Sequence, residues 1–147
     1  MKYICDVVNE LQERGVNAKV VQLLRDPNAR KINPLNEPRT APIVFKTVKE
    51  FVTNFNSEVF DRGIVVASTG ELAVPVLKLF HDHPELVPLN HIQSYDVDLA
   101  NDATAKQKLK ETYSVFPKQI SNAHWIEKQV KTLGAPGRIP VIHPGRS

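Results

Sequence analysis

Apolar residues open the chain at helical spacing. Ile4, Val7, Val8 and Leu11 in "YICDVVNELQERG" form an i, i+3, i+4, i+7 stripe, which predicts an amphipathic helix. Gly15 supplies its stop. "NAKVVQLL" follows, β-branched at its centre, and predicts a strand. Residues 25–42, "RDPNARKINPLNEPRTAP", break both periods, hold four of the eleven prolines and predict a long loop. "PIVFKTV" predicts another strand. In "VKEFVTNF" the pattern fits a short helix without fixing one.

The pattern is clearest in "DRGIVVASTGELAVPVLKLFHDHPEL". Ile64 to Ala67 are a continuous apolar run, as in a parallel strand buried on both faces. Ser68-Thr69-Gly70-Glu71 is the turn. The next helix carries Leu72, Val76, Leu79 and Phe80 on one face, with Pro75 early enough to be tolerated. "LNHIQSY" predicts a strand, "DVDLANDATAKQ" a polar crossing and "AKQKLKETYSVF" a helix. "KQISNA" and "HWIEKQVKTLG" predict a strand and a helix with Ile126, Val130 and Leu133 as its core stripe. "RIPVIHPG" closes as a strand. The order α-β-loop-β-β-α-β-α-β-α-β predicts one α/β domain over residues 1–147, Rossmann-like, a parallel sheet with helices on both faces. Such sheets bind ligands outside the carboxyl ends of their strands. The turns after Ala67, Gln93 and Ile120 therefore become the place to look for chemistry.

Composition changes this picture little. The chain is 41% hydrophobic and 24% charged, ordinary for a globular protein. Nineteen Lys and Arg against sixteen Asp and Glu give a net charge of +3. The charges are interspersed, so they read as solvated faces, and a nucleic-acid partner is not expected. A weak attraction to anionic membrane surfaces is compatible with that charge. The one cysteine, Cys5, has no internal partner and sits among apolar neighbours, which implies a core thiol and a cytoplasmic location. No apolar run approaches the roughly 20 residues that span a bilayer.

Several short motifs carry candidate chemistry. "ASTGE" is a strand-to-helix turn whose free amides and helix dipole suit an anion or a hydroxyl-rich ligand, although capping by Ser68 or Thr69 accounts for it equally. It lacks the glycine spacing of a dinucleotide fingerprint and the Gly-Lys-Ser/Thr of a phosphate loop. "FHDHPEL" places His81 and His83 two apart with no further ligands nearby, so no metal is expected. "HIQSYDVD" puts Gln93, Tyr95, Asp96 and Asp98 past a strand's end, where a carboxylate can take a proton from an alcohol or simply belong to a polar loop. In "SNAHW", Ser121 and Asn122 can cap the next helix, with Trp125 packed in its first turn.

In order along the chain, these parts resemble the amino-terminal domain of GT-B fold glycosyltransferases of family 4 (group 1) type, particularly rhamnosyltransferase-like members. "VVNELQERGVNAKVVQL" looks like the family's first helix and second strand, and "FDRGIVVAST" like its strand ending in Ala-Ser/Thr. "HIQSYD", "TYSVFPKQISNAHWIEKQVKTLG" and "IPVIHPGRS" resemble three later family stretches, the last entering the inter-domain linker. The resemblance implies transfer of a sugar from a nucleotide-sugar donor to a hydroxyl acceptor, glycan, polysaccharide or lipid-linked, with no metal and no bound cofactor. It places Ser68, Thr69, Gly70, Glu71, Gln93, Tyr95 and Asp96 in an acceptor cleft. Ser121, Asn122, His143, Pro144 and Gly145 would border the cleft near the hinge. It names no catalytic base. It also implies a first strand before residue 1 and a second, donor-binding domain after residue 147, on this or a partner chain, so that these residues alone are an inactive fragment. Losing the first strand, central in a doubly wound sheet, would expose strand edges. The alternative is a stand-alone α/β ligand-binding or regulatory module without catalysis.

Overall fold

The computed structural model describes residues 2–24 and 40–143; most of the proline-rich stretch lies outside them, as do Pro144 and Gly145. The chain divides into two compact units, Met1–Asp61 and Arg62–Ser147. Both are α/β, and their strands pair in parallel.

In the first unit, helix α1 (Lys2–Glu13) ends at Gly15, whose φ of 81° is the left-handed turn that glycine adopts without a Cβ penalty. Cys5 and Val8 are buried, and Val8 packs with Val20 under Ile4 and Ala18. Strands β1 (Val21–Leu23) and β2 (Ile43–Phe45) pair Gln22 with Val44. Helix α2 (Val48–Glu58) resolves the ambiguous pattern there. Thr47 Oγ1 accepts the Glu50 amide at 3.0 Å, while Glu50 Oε2 accepts the Lys46 amide at 2.8 Å, a reciprocal cap. Phe51 meets Phe45 and Phe55 edge-to-face at 5.6 and 5.4 Å.

The second unit is a sheet in the order β3 (Gly63–Ala67), β4 (Leu86–Ile92), β5 (Gln119–Ser121), extended by one parallel bridge from Ser121 to Val141. That bridge is the only part of the predicted closing strand that pairs among the described residues. Helices α3 (Gly70–Asp82), α4 (Ala103–Val115) and α5 (His124–Thr132) follow the three strands in turn, α3 packing on α4 and α4 on α5. All three therefore cover one face. Leu86, Asn90 and Ile92 point into that face with Tyr113, Phe116, Ile126 and Val130. A short 3-10 turn (Asp96–Leu99) replaces part of the predicted polar crossing, and Asp102 caps α4 by accepting the Ala105 amide at 2.7 Å.

The opposite face departs from expectation. Ile64 and Val66 are 65% and 51% exposed and Val87 is 37% exposed, so within this unit, among the described residues, β3 is an edge strand with one open face rather than a strand buried on both. β4 also begins earlier than predicted and contains Pro88. Proline supplies no ladder donor. The Asn90 amide bonds Lys118 O on the β5 side, so by strand alternation the position of Pro88 faces that side too. There β5 has not yet begun, because its first residue pairs with Asn90. The missing N–H therefore costs no strand pairing.

Candidate functional site

The carboxyl ends of β3, β4 and β5 form a rim. The strand-to-helix turn Ser68–Glu71 is tied to the stretch after β4 at two points. Gln93 Nε2 donates to Ser68 O at 3.2 Å, and the Gly70 amide donates to Asp96 Oδ2 at 2.5 Å. The other oxygen of Asp96 accepts from Ser94 Oγ at 2.5 Å. Asp96 thus places a carboxylate on the first amide of α3, where the helix dipole favours negative charge. Thr69, not Ser68, is the N-cap, its Oγ1 accepting the Leu72 amide at 3.4 Å. Glu71 is exposed in the same first turn.

Gly70 is where these pieces meet most closely. A Cβ there would lie 2.8 Å from Asp96 Oδ2, 2.8 Å from Tyr113 Oη and 2.9 Å from Asp96 Cβ. Its backbone is not left-handed, so space rather than conformation requires glycine. Tyr113 is fully buried and its hydroxyl finds no hydrogen-bond partner among the described residues. Burial pushes the Tyr113 pKa well above the usual phenol range, and the negative charge of Asp96 adds to that. The Asp96 backbone amide opposes the shift slightly, although its geometry falls short of a hydrogen bond. Tyr95 stacks on Tyr113 at 6.0 Å and 22°; its pKa is raised by burial and then by Asp98. Tyr95 is therefore packed beneath the rim, not presented on it.

On the β5 side, Ser121 is fully buried and its hydroxyl donates to Ala123 O at 3.3 Å. Asn122 Oδ1 lies 2.8 Å from His91 Nε2, which donates to it when that nitrogen carries the proton. Neither residue caps α5: its N-cap is Ala123, without a side-chain bond. Trp125 is 55% exposed on the first turn of α5, against the expectation of core packing. His124 and His143 meet edge-to-face at 5.9 Å, and His124 Nδ1 lies 3.1 Å from Glu127 Oε2. His143 is exposed; Pro144 and Gly145, placed beside it by the sequence, are outside the described residues.

The structure thus brings the Ser68–Glu71 turn and Gln93–Asp96 into direct contact, and it links Asn122 to His91. His91, Ser94, Tyr113 and Trp125 were missed as rim or near-rim residues. The alternation of β4 was the available signal for His91; nothing local signalled Tyr113, which arrives from α4. Among the described residues no three His, Cys, Asp or Glu side chains converge as a metal site. No described helix is long and apolar enough to cross a membrane. Comparison with known proteins returns no matching family model, no similar characterised protein and no similar solved structure.

Proposed function

We propose that the rim at the carboxyl ends of β3, β4 and β5 binds a neutral hydroxyl-bearing ligand, as the acceptor side of a glycosyltransferase of GT-B, family 4 type. One observation carries this reading: the amide at the start of α3 is already held by the Asp96 carboxylate. A phosphate brought to that helix end would meet a like charge. The groups left around it are amides and hydroxyls (Gln93, Asn122, Ser68, Thr69), which suit the hydroxyls of a sugar better than a nucleotide's phosphates. The ordered resemblance described above supports the same assignment. The donor nucleotide sugar is not assigned to these residues, and no metal or cofactor is part of the proposal. On this reading the protein works in the cytoplasm, in contact with a membrane surface where its acceptor is lipid-linked.

A second reading, a ligand-binding module without catalysis, is favoured by the state of Asp96. Both its oxygens are engaged, by Gly70 and Ser94, which leaves it poorly placed as a proton acceptor for an alcohol.

Trp125 is the single tryptophan and stands exposed on the rim, so its fluorescence reports there alone. Titration with neutral oligosaccharides is expected to give a saturable change that Asn122→Ala weakens. A nucleoside diphosphate is expected to give none. Saturation by the nucleotide, with no response to any neutral glycan at millimolar concentration, would refute the acceptor assignment. Sugar transfer assays with the donor-binding domain supplied, on the same or a partner chain, separate the two readings: turnover that Asp96→Asn abolishes sinks the module.

A further inference from the structure

We propose that the outer edge of β3 takes up an extended, uncharged apolar peptide segment as a further parallel strand of the β3–β4–β5 sheet. The inference rests on strand geometry and not on the proposed function. β3 reads Gly-Ile-Val-Val-Ala, and among the described residues it pairs with β4 alone. Strand alternation says which of its backbone groups are unused. The Asn90 amide faces β5, so Val87 and Leu89 turn their backbone groups to β3, and there they meet Gly63, Val65 and Ala67. The N–H and C=O groups of Ile64 and Val66 therefore point out of the sheet edge. Those same two residues carry the most exposed side chains of the strand, at 65% and 51%.

Natural edges are guarded by lysine, proline, a bulge or a covering element. Positions 63–67 have no charge and no proline, and all five pair with β4 in unbroken register. This edge is built like the interior of a sheet. Its chemistry selects the occupant. A strand laid along five uncharged residues would bury any charge of its own between Ile64 and Val66 without a partner, so the occupant's centre is uncharged. Ile64, Val66 and Val87 together expose an apolar patch of roughly 300 Å². A standard interface needs about 800 Å² from each partner. The patch is therefore small for a folded second copy and suited to one strand, which gains main-chain hydrogen bonds in addition to apolar contact. The existing sheet is wholly parallel, and the added strand continues it.

The test is amide hydrogen exchange on the full chain, with and without a capped seven-residue peptide of alternating valine and threonine. The Ile64 and Val66 amides are expected to exchange freely alone and to slow at least tenfold with peptide at millimolar concentration. Ile64→Lys is expected to abolish that protection while leaving the melting curve of the free protein unchanged. Val66→Thr, which keeps strand propensity, serves if the lysine variant misfolds, and is expected to weaken protection severalfold. Absence of protection at Ile64 and Val66 with millimolar peptide overturns the proposal. So does a dimer of the free protein in light scattering that Ile64→Lys dissociates, because a second copy then holds the edge. Protection by phosphatidylcholine vesicles in place of peptide overturns it equally.

Discussion

Gly70→Ala is the sharpest probe of the rim. The new methyl would sit 2.8 Å from both Asp96 Oδ2 and Tyr113 Oη and 2.9 Å from Asp96 Cβ, closer than a Cβ packs. Tyr113 is buried and cannot swing away, and Asp96 can yield only by leaving the Gly70 amide. Overpacking of this kind costs about 1–3 kcal/mol. Losing a hydrogen bond to a carboxylate adds about 1.5–3 kcal/mol if Asp96 is pushed off. Alanine's helix propensity returns at most about 1 kcal/mol. A net loss of about 2–4 kcal/mol is expected, which lowers the melting temperature by roughly 5–15 °C. Urea unfolding followed by circular dichroism reads it directly. Asp96→Ala in the same chain removes the closest oxygen but keeps its Cβ, so the double variant should fall short of the summed single losses by about 1 kcal/mol. A Gly70→Ala protein within about 0.5 kcal/mol of wild type, the usual range of a surface change, would refute the close approach of α3, Asp96 and Tyr113.

Two further outcomes follow from buried groups in the same unit. Tyr113→Phe deletes a fully buried hydroxyl without a partner and is expected to stabilise the fold by about 1 kcal/mol. Its pH signature has a definite sign. Because the folded pKa is raised, the fold keeps its full stability below the unfolded value of about 10 and loses it progressively as pH rises toward the folded value. Wild type should therefore weaken more steeply than Tyr113→Phe above about pH 10, and parallel alkaline profiles would count against the assignment. Gln119→Ala leaves Asn90 Nδ2 without its 3.0 Å acceptor and Tyr113 O without its 2.8 Å donor. A loss of about 2–4 kcal/mol is expected in the urea midpoint, and a loss under about 1 kcal/mol would mean that the amide pair is wetter than its burial implies.

Much of the architecture was legible because local signals agreed. Gly15 ended α1, the Ser-Thr-Gly turn opened α3, and the Ile64–Ala67 run marked β3, each at or within a residue of its observed place. Alternation of helix and strand gave the parallel pairing. Where signals conflicted, the reading failed. β4 was predicted from Leu89 but begins at Leu86 and takes in Pro88, which a strand interior tolerates here only because β5 stops short of it, and that is a tertiary fact. An all-apolar β3 implied two covered faces, whereas α3, α4 and α5 lie on one and Ile64 and Val66 face out on the other. Trp125 was expected to pack in the first turn of α5 but is exposed there, whereas Ile126 and Val130 of the predicted stripe are buried. The rim segments were found from strand ends. That Asp96 would reach Gly70 across 26 residues, or that Tyr113 would arrive beneath both, needed the crossing geometry of α4.

The Asn90–Gln119 pair has a consequence for how the sheet assembles. Parallel strands of Val, Ile and Leu offer nearly the same apolar contact in several alignments, so a neighbouring strand can slip along them at little cost. Here two side-chain amides face each other at one rung, and Gln119 is anchored in turn on Tyr113 O. A slip of β5 by one residue turns Gln119 to the face opposite Asn90, and a slip of two separates the amides inside a dry interior. The pair therefore acts as a registration mark: apolar burial draws β4 and β5 together, and the amides select which of the possible alignments persists.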